Sequence, residues 1–464
     1  MIRFFNYFSL FVTWYILILN TIYVVLLLIS LIGIIVYIRN KIAGRIVEVI
    51  ASDLAPPVSL LVPAYNEQET IVKAVKSFLQ IEYPEFEVVV INDGSKDDTL
   101  EKLKNEFNLY IVDRKFRKLI DSKDVIGIYY SKRYDNLIVV DKINGGKADA
   151  LNCGINVCSY PYICTLDADS ILERDSIAKV MQPFFDEPDK VVAVSGIVRI
   201  VNGSMLDNFG KVQELHVPKS NIARFQIIEY FRAFLAARKG LSMIGSLLIA
   251  SGAFAGFKKE DIIMADGFNT KTVGEDMEIV VRLKKIAYEK KKKSKVIFVP
   301  DPIVWTQCPE KLGDLAKQRK RWQRGLAQVV FQHRSLFFNP RYGMLGLFGY
   351  PYQVIFELLG PVIELIGYII VPISYIFGII NINVALFFLA VEVLYGIAIS
   401  ILSVLFSELS EKKYNGWKDF IILVIIAVVE NLGYRQLTVL WRVMGIYEAV
   451  VRKQGWAKAE RKKL

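Results

Sequence analysis

The sequence predicts an α/β domain with a largely parallel sheet, set between apolar segments long enough to cross a bilayer. Two observations carry this. Apolar, β-branched runs at 58–63, 86–93, 136–140, 162–166 and 191–196 alternate with stretches of helical pattern, as in a parallel sheet with crossover helices. Hydrophobic content of 53% and mean hydropathy of +0.35 exceed those of an ordinary soluble enzyme, and the excess lies at the two ends of the 464-residue chain.

Taken in order, residues 14–38 form an uncharged apolar run that spans a bilayer by length. It is longer than a signal-peptide core and no small-residue cleavage site follows it. Arg39, Lys41 and Arg45 come directly after, which places this end in the cytoplasm and the N-terminus outside. The first segment is therefore drawn as 1–40, with a short amphipathic surface helix expected at 41–52. Pro56-Pro57 opens the globular domain, drawn as 56–335 and cytoplasmic. Within it, the basic stretch 114–132 breaks the alternation and reads as a loop or hairpin. Residues 220–240 carry charges throughout and read as a surface-lying helix. Residues 341–441 hold three apolar stretches, at 353–379, 384–406 and 418–440, and 442–464 form a basic cytoplasmic tail. A cytoplasmic domain and a cytoplasmic tail need an even number of spans between them. Either one stretch is interfacial or re-entrant, or the tail lies outside. Glu430 and Arg435 make the last stretch the suspect.

Composition removes several chemistries. The net charge of +11 fits retention of Lys and Arg on the cytoplasmic side and needs no nucleic acid as a partner. Four cysteines form no Cys-x-x-Cys pair, and the two histidines, His216 and His333, stand beside no nucleophile motif. Carboxylates must do any acid–base work.

The motifs sit where such a sheet puts its chemistry, after the carboxyl ends of strands. The 162–166 run ends in Asp167-Ala168-Asp169, two carboxylates that suit a hard cation sharing phosphate oxygens with a substrate. A strand followed by an Asp-Ser turn would look the same. Tyr65 and Glu67 follow the first strand, and Asp93 ends the second, before Gly94. The first could face a nucleobase, and the second and third could accept hydrogen bonds. Ser95 or Asp97 could equally cap the next helix. Gly145-Gly146-Lys147 opens a helix without Walker spacing, leaving Lys147 as a point charge for a diphosphate. The 249–257 stretch mixes small residues with Phe254 and Phe257. Such a stretch allows close approach of a sugar, or tight helix packing. Glu275 and Asp276 open a polar helix, and one of them could serve as general base. Gln318, Arg321 and Trp322 lie in a basic helical stretch, where Arg matches phosphate oxygens two at a time.

In this order the motifs resemble those of the membrane-embedded, processive family 2 glycosyltransferases, which include cellulose, chitin, hyaluronan and poly-β-1,6-N-acetylglucosamine synthases. The resemblance covers 58–325 in motif detail. It implies a GT-A fold, Rossmann-like with a mostly parallel sheet, as a cytoplasmic domain flanked by transmembrane helices of the plasma membrane. It implies a UDP-sugar donor held by Tyr65, Glu67, Asp93, Lys147 and Asp167, with Gln318, Arg321 and Trp322 matching Q-x-x-R-W. Asp169 and Asp167 would hold Mg²⁺ or Mn²⁺. Asp276, with Glu275 beside it, stands where the family places its general base. Ser251, Gly252 and Phe254 would meet a growing glycan acceptor, and Glu357, Glu364, Glu392 and Glu430 would face a path through the bilayer. The short tail leaves no room for the cyclic-dinucleotide-binding domain of some cellulose synthases, and their gating segment is not recognisable. Any such control would need a partner, such as a small accessory membrane subunit.

Overall fold

The structure, a computed structural model, describes residues 2–42, 55–207, 212–378, 382–409, 414 and 416–451. The surface helix expected at 41–52 lies outside them from residue 43 onward, and so does the tail beyond Val451. The chain divides into two compact units. A sheet unit holds Ile35–His216 and Ile244–Cys308. A helical unit holds the described parts of Met1–Ile34, Val217–Met243 and Pro309–Ala459.

The strands of the sheet unit are β1 (Val58–Ala64), β2 (Phe86–Asp93), β3 (Leu109–Val112), β4 (Val125–Ser131), β5 (Leu137–Lys142), β6 (Tyr162–Leu166), β7 (Ile171–Leu172), β8 (Val191–Ile200), β9 (Met205–Leu206), β10 (Val212–Glu214), β11 (Phe254–Lys258) and β12 (Lys295–Thr306). Ten form one sheet in the order β3-β4-β5-β2-β1-β6-β11-β8-β12-β7, while β9 and β10 pair separately. The centre is parallel: β1 pairs with β2 and β6, β2 with β5, and β8 with β12. Val88, Val89, Val90 and Ile91 of β2 are fully buried. That explains its unbroken apolar run, since a parallel strand is covered on both faces. Burial of each such side chain contributes about 1.5–3 kcal/mol.

All five expected strands are present. The basic stretch at 114–132 belongs to an antiparallel excursion in which β4 pairs with both β3 and β5. Six strands escaped the sequence reading: β3, β7, β9, β10, β11 and β12. β11 runs antiparallel between β6 and β8, and its Phe-Ala-Gly-Phe-Lys sequence lacks the β-branched run that marks its neighbours. At Gly256 a Cβ would come within 2.8 Å of Val180, so the small residue there admits a covering helix.

Leu10–Lys41 and Leu345–Ile376 are long and apolar enough to cross a membrane. The second includes π-helical turns at Leu345–Gly349 and Gln353–Leu358. Trp417–Val429 and Tyr434–Val450 meet at a 61° bend, the geometry of a broken span or re-entrant loop. The break falls at Glu430, within the stretch that the charge pattern singled out. Helix Ile382–Ser407 carries a shorter apolar portion, Glu392–Ser407.

The expectation for 220–240 needs correction. Asn221–Phe231, a π-helical turn at Arg232–Arg238 and Lys239–Met243 form a packed element rather than a surface helix. Ile227, Ile228, Phe231 and Leu235 are buried. The charges that suggested a surface are paired inside the unit: Arg232 meets Glu430, and Glu229 meets Arg319. Periodicity within one segment cannot reveal partners about 90 to 200 residues away.

Candidate active site

Because β1, β2, β5 and β6 are parallel, their carboxyl ends share one edge of the sheet. Tyr65 and Glu67 follow β1, Asp93 ends β2, and Asp167 follows β6. The antiparallel register of β11 brings Phe254 opposite Leu166. This delivers the Ser251-Gly252 turn to the end of β6, beside Asp167.

Lys147 is the hub. Its Nζ donates to Asp167 Oδ1 at 2.7 Å and to the Gly252 carbonyl at 3.1 Å, and lies 3.6 Å from Glu275 Oε1. A Cβ on Gly252 would stand 3.2 Å from Asp276 Oδ2 and 3.3 Å from Lys147 Nζ. Five of the expected positions thus meet at one place: Lys147, Asp167, Gly252, Glu275 and Asp276. Asp169, two residues beyond Asp167, is only 2% exposed. Ser251 is buried and bridges to Phe254 at the start of β11.

The electrostatics follow from that crowding. Burial works against the charged form of Lys147, but Asp167 and Glu275 outweigh it and hold its pKa above the ordinary value. Burial also raises the Glu275 carboxyl above its usual range, with Lys147 opposing and Asp276 adding to the rise. Glu275 and Asp276 start helix Glu275–Glu289, where the positive end of the helix dipole favours carboxylates. Asp276 Oδ1 accepts from the Met277 amide at 2.9 Å.

The loops behind this cluster are laced tightly. Asp93 Oδ1 accepts from Lys142 Nζ at 2.6 Å and Gly145 N at 2.9 Å, and Oδ2 accepts from Gly146 N at 2.8 Å and Asn144 Nδ2 at 3.2 Å. Asp93 therefore fixes the turn that delivers Lys147, and Gly146 takes φ +90° there, a region open chiefly to glycine. Lys142 is fully buried and also meets Asp149 at 2.6 Å. Sequence reasoning missed Lys142, Asn144 and Asp149, whose importance lies in pairing across elements. Asn66 N donates to Ser95 Oγ at 3.0 Å, and Asp97 Oδ1 accepts from the Thr99 amide at 3.1 Å. Ser95 and Asp97 accordingly serve local structure. Half-buried Tyr65 and Glu67 flank Asn66 in the same laced loop.

Among the described residues no three His, Cys, Asp or Glu side chains form a ready-made metal cage. Gln318, Arg321 and Trp322 belong to the helical unit, on helix Leu312–Gln332. There Trp322 is 45% exposed, beside Tyr230 at 6.4 Å between ring centroids.

Two family models match the sequence. One, glycosyl transferase family 2, covers residues 59–261, and the other, glycosyl transferase family group 2, covers 162–399, just over half the chain. The chain belongs to the family 2 glycosyltransferases. Poly-β-1,6-N-acetyl-D-glucosamine synthases are similar to it: the protein from Staphylococcus epidermidis is 30% identical over 275 residues, and that from Staphylococcus aureus 30% over 276. Each match covers 59% of this transferase and 56% of the relative, so the chain spans just over half the length of the curated relatives it matches. A mannosyltransferase from Pyrobaculum calidifontis, solved with GDP-Man and Mn²⁺, is similar in fold, with a TM-score of 0.52 and 18% identity over 94% of this chain and all of that one. The sheet unit of the transferase has the GT-A architecture.

Proposed function

We propose that the transferase is an inverting, metal-dependent hexosyltransferase that uses a UDP-sugar to extend a β-linked polysaccharide. The observation that carries the reading is the convergence of Lys147, Asp167, Gly252, Glu275 and Asp276 at the carboxyl end of β6. UDP-N-acetylglucosamine is the first donor to test, because the similar curated proteins are named for a polymer of N-acetylglucosamine.

In the proposed mechanism the acceptor hydroxyl lies over Gly252, whose lack of a side chain keeps the space beside Asp276 open. Asp276 takes the hydroxyl proton as the oxygen attacks the anomeric carbon. The bond from that carbon to the UDP oxygen breaks on the opposite face, and the electron pair leaves with UDP. Lys147 faces the departing diphosphate as a fixed positive charge. Tyr65, Glu67 and Asp93 stand on the edge assigned to the nucleoside. The donor set fits a divalent cation: Asp167, Glu275 and Asp276 face one ammonium, and the hard oxygens of Asp167 and Asp169 would leave further positions to phosphate. Mg²⁺ or Mn²⁺ held there would supply charge stabilisation to the diphosphate.

The proposal places residues 56–335 in the cytoplasm as the catalytic domain of a multi-pass plasma-membrane protein, because Arg39 and Lys41 close the first span. The helices of 341–441 would then carry the polymer outward, with 442–464 as the basic tail. The second reading is non-processive transfer of a single sugar onto a lipid or other acceptor, and Gln318, Arg321 and Trp322 favour the polymer. Incubating the purified full-length protein with labelled UDP-N-acetylglucosamine and Mn²⁺ separates these readings. Long labelled chains are expected. A single-sugar product would replace polymerisation by simple transfer, and no UDP release from any common UDP-sugar would sink both.

A further inference from the structure

We infer that Arg319 is a positioning residue that fixes the orientation of Trp322 and Gln318, two members of the Q-x-x-R-W stretch. The inference rests on the reading of that stretch as part of the transfer machinery. It concerns a residue that the motif leaves unspecified.

Helix Leu312–Gln332 is strongly basic, yet its cations are not equivalent. Lys317 is exposed and Lys320 and Arg321 are half-buried, whereas Arg319 is 3% exposed. A buried guanidinium is costly unless its charge and its donors are matched. Arg319 Nη2 lies 2.6 Å from Glu229 Oε2, and Nη1 donates to Gln318 Oε1 at 2.6 Å. The guanidinium carbon sits 4.4 Å from the centroid of the Trp322 ring, within the range of a cation–π contact. Three residues of separation put Arg319 and Trp322 on one helix face, so the contact needs no distortion of the helix.

Glu229 is itself held. Tyr434 OH donates to the same Oε2 at 2.8 Å, and the Tyr434 ring stacks on Phe225 with centroids 4.8 Å apart. A continuous path therefore runs from Phe225 and Tyr434 through Glu229 to Arg319, and from there to Gln318 and Trp322. It ties together helices Asn221–Phe231, Leu312–Gln332 and Tyr434–Val450, all within the helical unit. A planar guanidinium can form the ion pair, the amide contact and the stack at once. A lysine can form the ion pair but has no plane to stack.

Trp322 remains 45% exposed despite this hold. An indole fixed by a cation and still open to its surroundings is a rigid platform for the apolar face of a sugar ring. Fixing it in advance removes an ordering cost from each round of binding. That matters most to an enzyme that must hold its product through repeated transfer.

The test is a double-mutant cycle in the full-length protein, reading kcat, acceptor KM and product length. Trp322→Ala and Arg319→Met are each expected to lower turnover roughly 10-fold and shorten the product, while the double variant is no worse than Trp322→Ala alone. Arg319→Lys should keep the ion pair and the fold yet recover little product length. Tyr434→Phe is the milder second probe if Arg319→Met fails to fold, and should show a smaller loss that vanishes in the Trp322→Ala background. Additive losses for Arg319 and Trp322, or full recovery by Arg319→Lys, would overturn the inference while leaving the transferase reading intact. Unchanged turnover in Trp322→Ala would remove the function assigned to the stretch and the inference with it, while still leaving the transferase reading intact.

Discussion

Around Lys147 the sheet unit gathers Asp167, Glu275 and Asp276 against a single ammonium, whereas around Arg319 the helical unit matches one guanidinium to Glu229 and an indole. Both cations are largely withdrawn from solvent, and both hold their charge by pairing. The first carries surplus negative charge, with a carboxyl at Glu275 pushed above its ordinary range by burial. The second is charge-balanced and braced by Tyr434. Surplus carboxylates suit a place that receives cations and gives up protons. A balanced, stacked pair suits a support that stays put. The same residue types thus serve different ends according to stoichiometry.

The largest expected effect breaks the first cluster. Asp169→Asn and Asp276→Asn should each lower turnover by roughly 10³-fold, in line with the loss of a positioned acid–base or charge-stabilising group. Circular dichroism should show an unchanged fold. Full activity in either variant would remove the role assigned to that carboxylate.

Lys147→Met comes next and tests the surplus directly. Turnover should fall roughly 100-fold, the usual cost of one preorganised charge contact. Without the ammonium, Asp167 and Glu275 face one another unscreened, so the melting temperature should fall. Added Mn²⁺ should restore more of it than it adds to the wild type. An equal response in both proteins would show that the carboxylates do not hold the ion.

Asp93→Asn should cost less, because Lys142 keeps Asp149 at 2.6 Å. The amide would turn one acceptor into a donor facing the Gly145 or Gly146 N–H. A loss of about 1–3 kcal/mol in stability follows from a buried group left unmatched. Turnover should fall less than in Lys147→Met, since Lys147 keeps its contacts but loses a rigid turn. A nucleotide KM that rises with no change in melting temperature would instead make Asp93 a direct ligand of the donor.

The ease of reading these regions from sequence differed for a physical reason. Strand ends carrying Asp93, Asp167 and Asp169 were legible because buried parallel strands are continuous apolar runs that stop abruptly. β11 was not, since Phe-Ala-Gly-Phe-Lys is a strand only by virtue of β6 and β8 on either side. Lys142 lies just past the apolar run at 136–140 with nothing in the sequence to mark it, and only the fold shows it fully buried between Asp93 and Asp149. Arg319 was passed over as one of several cations in a basic helix. Its partner Glu229 lies 90 residues earlier, in the segment misread as a surface helix. Local pattern reports burial, and pairing across the fold decides which charge tolerates it.

The smallest effect isolates burial without carboxylates. Lys284, on the same helix as Glu275 and Asp276, is fully buried and donates to the Gly245 carbonyl at 2.7 Å. Burial lowers its pKa to about 8 from an ordinary 10.5, opposite in direction to Lys147. Between those two values the unfolded chain binds more protons than the folded one, so this group makes stability rise with pH across that window. Below about 8 both states are protonated and the full cost of burying the charge is present. Lys284→Met should remove that slope and raise stability near neutral pH by about 1–2 kcal/mol, as replacement of a buried charge by an apolar side chain often does. Denaturation midpoints measured from pH 7 to about 10.5 would check it. Parallel wild-type and variant curves would mean that Lys284 is charged and compensated after all, like Lys147.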